Sequence, residues 1–287
     1  MLPSRFDYHR ASTVEEAFEL LDRYGEDAKV LAGGQSLIPL LKLRFAAPEH
    51  LIDVNPIDSL RGIAEDGDTL TIGALTRHNE LIRSDVIARY PAIAAAAPQI
   101  ADPLVRNLGT IGGSLAHADP AGDLGAVMLA MGASVVLRSS GGERTVPIDE
   151  FLVDTFTTTI APNELLTEVR VPRPAARSGG TYLKLERKVG DFATVAAAVT
   201  LTLSNGSIGH AGIGLTGVDS KNVHATDAES SLSGTAPSDD AFAEAGRLAA
   251  AAAHPVSDVR GSETYKRHMI EVYVRRGLAR SLEMANG

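Results

Sequence analysis

Two glycine-rich segments carry the residue types best suited to holding an anionic ligand. The first is Lys29-Val30-Leu31-Ala32-Gly33-Gly34-Gln35-Ser36 and the second is Gly109-Thr110-Ile111-Gly112-Gly113-Ser114. Paired glycines let backbone N–H groups close around phosphate oxygens, and Thr110 and Ser114 bracket the second pair with hydroxyl donors. Two segments with a Gly-Gly-x-Ser or Gly-Gly-Ser core point to a ligand with two phosphates, gripped from two sides. The first segment alone could be a strand-to-helix turn whose glycines serve only backbone geometry, and the second weakens that reading. Neither has the Gly-x-Gly-x-x-Gly spacing of a dinucleotide turn or the Gly-Lys-Ser/Thr of a nucleotide-hydrolysing loop.

After the second segment comes Leu115-Ala116-His117-Ala118-Asp119-Pro120-Ala121-Gly122-Asp123-Leu124. Its histidine and aspartates, with Ser114, could suggest a metal site or a hydrolytic triad. A triad needs side chains converging in space, which sequence neighbours seldom achieve. No catalytic and no metal-ligating residue is therefore assigned. Asp123, at the start of a helix, reads as a cap or as an acceptor for a ligand hydroxyl.

These residues need elements to position them. Ser12-Thr13-Val14-Glu15 reads as a capping box, with Val14, Ala17, Phe18 and Leu21 at helical spacing before a stop at Gly25. A strand over 28–31, a helix over 36–43 that tolerates Pro39 in its first turn, and a strand over 51–54 make a βαβ-like unit around the first glycine turn. A strand over 69–75 leads to a helix opened by Thr76 with Glu80, and residues 91–99 and 123–131 read as helical. Strands over 133–138 and 144–147 flank a hairpin at Ser139-Ser140-Gly141-Gly142, and 164–171 is a further strand.

Residues 172–180 hold two prolines and two glycines and no core residue, which marks a linker. The expected division is an N-terminal unit over 1–175, with subdomains over about 1–55 and 56–175, and a C-terminal unit over 176–287. The latter begins with strands over 181–185, 193–203 and 207–215, the last two joined by Asn205-Gly206. After a polar loop over 232–237 it ends in helices capped by Ser238 and Ser262.

At 287 residues the chain is long enough for two cores, and 44% hydrophobic with 22% charged residues is a globular profile. The net charge of −9 and the lack of a basic run exclude nucleic acid as a partner. Without cysteine the chain forms no disulfide and supplies no thiolate to an iron–sulfur cluster or a structural zinc, so any such centre sits in another chain. Met1-Leu2-Pro3-Ser4-Arg5-Phe6-Asp7 lacks a secretory apolar core, and no apolar stretch reaches the roughly 18 residues of a membrane span, so a cytoplasmic location is expected.

The two glycine segments, with Ala118-Asp119-Pro120 and Asp123-Leu124 after the second, resemble the FAD-binding medium subunit of the molybdenum hydroxylases. That group contains xanthine dehydrogenase and aerobic carbon monoxide dehydrogenase. Gly73-Ala74-Leu75-Thr76, Val105-Arg106-Asn107, Glu164-Leu165-Leu166 and Arg187-Lys188-Val189-Gly190-Asp191-Phe192-Ala193 extend the likeness over nearly the whole chain. The resemblance implies an α+β fold: a two-subdomain FAD-binding fold similar to vanillyl-alcohol oxidase (PCMH-type), followed by an antiparallel sheet with helices. It also implies that Lys29 to Ser36 and Thr110 to Ser114 bind the pyrophosphate and adjoining parts of FAD, and that Asp123 accepts from its sugar region. By the same likeness Leu166 lines the adenine side, Lys184 reaches the cofactor from the C-terminal unit, and Ile100 or Ala101 packs close to it.

The implied partners are a [2Fe-2S] small subunit that delivers electrons and a molybdopterin-containing large subunit that oxidises the substrate. Quinone, NAD or oxygen would be the external acceptor. The sequence differs from some relatives at Gln35 and Phe192, neither of which removes a phosphate contact. Two other readings fit the same residues. A stand-alone flavin oxidase or dehydrogenase would need a base such as His117 or His210 beside the ring, and a non-catalytic nucleotide-binding assembly module would need none.

Overall fold

The computed structural model describes residues 2–287; Met1, the first residue of the segment read for a leader, lies outside the described residues. Strand β1 (Asp7–Arg10) is followed by helix α1 (Val14–Tyr24), β2 (Ala28–Leu31), α2 (Leu37–Leu43) and β3 (His50–Asp53). The three strands form a parallel sheet in the order β1-β3-β2, with the first glycine segment turning the chain from β2 into α2. Thr13, not Ser12, caps α1: its hydroxyl accepts from Glu16 N at 3.1 Å, and the Glu16 carboxylate takes Ser12 N at 2.6 Å. The box thus sits one residue later than its sequence pattern, because Val14 is already the first helical residue. Val14, Ala17, Phe18 and Leu21 then bury against Ile52 and Val54.

The next stretch runs β4 (Ile63–Asp66), β5 (Thr69–Gly73), α3 (His78–Arg83), α4 (Pro91–Ala96), α5 (Pro103–Leu108), α6 (Ile111–His117), α7 (Asp123–Ala130), β6 (Ser134–Ser139), β7 (Gly142–Pro147), α8 (Ile148–Phe151), β8 (Leu152–Asp154), β9 (Thr157–Thr158) and β10 (Leu165–Pro172). An antiparallel sheet in the order β4-β5-β10-β6-β7 backs this region. Thr76 does not open α3; its hydroxyl is used by Gly62 N and O, and Glu80 instead accepts from Arg77 N at 2.5 Å. Helix α5 was not legible as a helix. Asp102 starts it by accepting from Leu104 N and Val105 N at 2.8 and 2.9 Å.

The last part comprises β11 (Ser178–Leu185), β12 (Val195–Ser204), β13 (Ser207–Thr216), β14 (Val223–His224), α9 (Thr226–Leu232), α10 (Asp239–Ala252) and α11 (Glu263–Asn286). The sheet is antiparallel in the order β11-β12-β13-β14. Asn205 and Gly206, at φ 52° and 82°, make the tight turn between β12 and β13. Ser238 and Ser262 cap α10 and α11 through their hydroxyls.

Strand β12 is buried on both faces and alternates between two cores. Val195, Ala197, Val199 and Leu201 join the core under α10 and α11, whereas Ala196 and Ala198 join the core that holds α7 and the five-stranded sheet. Helix α7 approaches the sheet at backbone contact: a Cβ on Gly212 or Gly214 would come within 1.8 Å of Ala130 O or 1.9 Å of Ala126 O. The sheet of the C-terminal part therefore closes the core of the part before it.

Candidate functional site

The two glycine segments meet at the junction of the parallel and antiparallel sheets. A Cβ on Gly33 would lie 2.3 Å from Leu108 O and 2.8 Å from Gly109 Cα, so only glycine permits this approach. A Cβ on Gly113 would be 3.9 Å from Ala32 Cβ, which places the start of α6 against the first segment. Gly34 has φ 71° and turns the chain toward α2 beside Leu31 and Ile38. None of the backbone N–H groups of Gly33, Gly34, Gln35 and Ser36 has an acceptor among the described residues. Four consecutive donors without a protein acceptor in one turn are a feature suited to an anion.

The second segment differs from its expected form. It is not a loop but the cap and first turn of α6, and its donors are largely engaged. Ile111 N donates to Thr76 O at 3.1 Å, Gly112 N to Ala74 O at 2.9 Å, and Gly113 N to Thr110 Oγ1 at 3.1 Å. Gly112 is glycine because Ala74 would sit 2.5 Å from its Cβ. What this segment presents toward the first is the exposed Gly113, and the next residue, Ser114, is half-buried.

Behind both segments lies a pair of side chains that the sequence pattern did not single out. Asn55 Nδ2 donates to Ala32 O at 2.6 Å, and Asn55 Oδ1 accepts from Arg77 Nη2 at 2.6 Å. Arg77 Nη1 donates to Leu108 O, the oxygen on which Gly33 rests. The neighbouring His78 is buried, with its Nδ1 unpartnered; burial first, then Arg106 and Arg77, pull the imidazole down to about 4, so it is neutral.

Asp123 and Lys184 come together, with side chains 8% and 1% exposed and 3.0 Å between Nζ and Oδ1. Tyr182 OH donates to Asp123 Oδ1 at 2.6 Å, and Lys184 Nζ also reaches Gln99 O at 3.0 Å and Glu186 Oε2 at 3.5 Å. Burial raises the Asp123 carboxyl above its ordinary value, and Lys184 and Tyr182 oppose the rise. The Lys184 ammonium is thus surrounded by protein acceptors, and its visible task is to tie β11 to the turn before Ile100. The next two carbonyls of that turn, Ile100 O and Ala101 O, are held by Arg106 Nη1 at 2.8 and 3.0 Å. Ala101 is left-handed at φ 44°, and Gly190, at φ 81°, lies on it; a Cβ there would be 2.5 Å from Ala101 O.

The remaining predicted residues are dispersed. Lys29 is exposed on β2, Val30 packs partly under α1, and Leu166 is buried on β10 opposite Leu137. His117 ends α6 with its ring 4.9 Å from Phe156, and burial lowers its pKa. His210 is exposed on β13. No group of three or more potential metal ligands occurs among the described residues, and none of their helices is long and apolar enough to cross a membrane.

The family described as "FAD binding domain in molybdopterin dehydrogenase" matches residues 4–174, and "CO dehydrogenase flavoprotein C-terminal domain" matches 180–281. The chain belongs to the molybdenum hydroxylase flavoprotein family. It is 46% identical to the carbon monoxide dehydrogenase medium chain of Hydrogenophaga pseudoflava over 97% of each chain. It is 42% identical to subunit alpha of the 6-hydroxypseudooxynicotine dehydrogenase complex of Paenarthrobacter nicotinovorans, over 99% of this chain and 97% of that one. Among solved structures, carbon monoxide dehydrogenase from H. pseudoflava superposes with a TM-score of 0.96 at 47% identity, covering 99% of each chain. Quinoline 2-oxidoreductase from Pseudomonas putida 86 gives 0.93 at 30% identity, again over 99% of each.

As a flavoprotein of this family the chain is an oxidoreductase subunit whose cofactor is FAD, in the α+β fold that the resemblance implied. The residues present fit that cofactor. Two phosphates need N–H donors, which the Gly33 to Ser36 turn leaves free, and the contact at Gly33 brings a second hydroxyl-bearing segment beside it.

Proposed function

We propose that this chain carries electrons between a [2Fe-2S] small subunit and an external acceptor (quinone, NAD or oxygen), in a cytoplasmic complex whose molybdopterin-containing large subunit oxidises the substrate. Bound FAD supplies the exchange between one-electron and two-electron transfer. The observation that carries the reading is the run of free N–H groups from Gly33 to Ser36, closed on one side by the Thr110 to Ser114 turn.

In this reading Ala32, Gly33, Gly34, Gln35 and Ser36 bind the pyrophosphate from one side, and Thr110, Ile111, Gly112, Gly113 and Ser114 close the other, mainly through the Ser114 hydroxyl and the helix start. Lys29, Val30 and Leu31 set the strand that leads into the turn. Ile100 and Ala101 form a wall of the pocket, and Asp123 accepts at the sugar region with the lone-pair capacity that Tyr182 and Lys184 leave over. Lys184 holds that wall through Gln99 O, and Leu166 backs the adenine side from within the core. Residues 1–175 act as the FAD-binding unit, with subdomains over about 1–55 and 56–175, and residues 176–287 as the unit that closes it. No residue of this chain acts as a general base.

The test is purification from the native source under mild conditions, with identification of every accompanying chain and assay of FAD, iron and molybdenum per mole. FAD together with an iron–sulfur chain and a molybdenum chain is the expected result. FAD on a lone chain that turns over a small substrate would refute the electron-transfer role.

A further inference from the structure

Arg77 occupies an unusual position for a half-buried cation. Its side-chain partners are an amide oxygen, Asn55 Oδ1, and a backbone carbonyl, Leu108 O, and no ion pair among the described residues includes it. The nearest acids do not pair with the guanidinium and act on it only through space: Glu80 accepts from the backbone N of Arg77 itself, and Asp53 accepts from Tyr8 OH and from Asn55, while burial and Arg61 work against them. His78 beside it is neutral and Arg61 is a second cation, bonded to Asn55 O at 2.9 Å. A guanidinium held on neutral carbonyls keeps its charge, and that charge is felt most where water is excluded.

The contacts form a closed ring. From Ala32 O the path runs through Asn55 and Arg77 to Leu108 O, and Leu108 O returns against Gly33. Apart from the Arg77 guanidinium, the members of the ring are backbone carbonyls and the Asn55 amide, which also donates to Asp53 Oδ1 at 2.7 Å. The ring therefore sets how far apart the two glycine segments stand, with the positive charge behind them. On the reading that these segments hold the pyrophosphate of FAD, we propose that Arg77 is the positioning residue of that site. It fixes the separation of the two segments and supplies the counter-charge that the carbonyl ring leaves uncancelled.

The full chain, deflavinated and purified with whatever chains accompany it, is titrated with FAD by quenching of flavin fluorescence at several salt concentrations. ADP and riboflavin serve as competitors. Arg77→Gln, which removes the charge, is expected to weaken FAD roughly tenfold or more, to flatten the salt dependence of Kd, and to weaken ADP in parallel while leaving riboflavin competition unchanged. Arg77→Lys, which keeps the charge but not the planar fork, is expected to weaken FAD with the wild-type salt dependence retained.

Unchanged affinity and salt dependence in Arg77→Gln, with ADP still competing in the wild type, would overturn the role of Arg77 and leave the site standing. Wild-type FAD binding that ADP does not compete would overturn the pyrophosphate reading and the inference with it. If Arg77→Gln fails to fold, Arg77→Lys decides: an unchanged Kd refutes the positioning role.

Discussion

His224 offers a stability switch whose size follows from its contacts. Its Nδ1 lies 2.7 Å from Asp149, at the start of the short helix α8, and its Nε2 lies 2.8 Å from Glu229 in α9. One imidazole can donate to both carboxylates only when doubly protonated, and in that form it staples the C-terminal part to the part before it. Hydrogen bonding to Glu229 leads the effects that raise its pKa from 6.5 to about 8, against the burial that lowers it. At 1.36 kcal/mol per pH unit this rise is worth roughly 2 kcal/mol. Asp149 is half exposed and solvent weakens its share, so about 1 kcal/mol is the working figure.

Because the folded pKa lies above the unfolded one, this stabilisation is complete below pH 6.5 and disappears as the pH rises through about 8. His224→Asn removes it at every pH. Thermal midpoints of the two proteins, compared from pH 6 to 9, should differ by about 2 °C more at the acid end than at the alkaline end. Parallel profiles for wild type and variant would refute the reasoning.

Further perturbations address the cofactor site and the fold around it. Gly33→Ala forces backbone against backbone at Leu108 and should cost roughly 1–3 kcal/mol, with loss of retained FAD on gel filtration; full flavin content would contradict the close approach described. Lys184→Met leaves the buried Asp123 uncompensated, a cost of about 3–5 kcal/mol, read as a lowered melting temperature that Asp123→Asn added to it partly restores. Gly190→Ala strains a residue at φ 81° and pushes the loop off Ala101, so limited proteolysis should cut near 190 faster than in wild type; equal rates would count against that docking.

What the sequence reveals here depends on whether a signal is local. Asn205-Gly206 and the serines before α10 and α11 announce themselves because each satisfies a backbone need within a few residues. The second glycine segment misleads because its contacts are distant. Gly112 and Gly113 read as donors closing on a phosphate, yet they sit in the first turn of a helix with their N–H groups engaged, and Gly112 is demanded by contact with Ala74. Asn55 and Arg77 leave no local trace, since each matters only through a carbonyl supplied by a distant stretch of chain. Thr76 and Glu80 have the right types for a cap, but Thr76 is claimed by Gly62 across the fold, and the cap falls to Arg77. Lys184 stands out by family likeness alone, while its burial between Gln99 and Asp123 follows from its place two residues after Tyr182 on β11, so that both side chains reach Asp123.

Helix α7 is buried along its whole length, and the strand that covers one side of it, β13, is made long after it. During synthesis an apolar helix opening at Asp123 would leave the ribosome and wait for Gly212 and Gly214, at roughly 5–20 residues per second. In that interval the nascent N-terminal part bares a surface that other chains can seize. Truncation between β10 and β11, near residue 175, would make the interval permanent, so separate expression of the two parts should yield insoluble protein, while simultaneous expression rescues both.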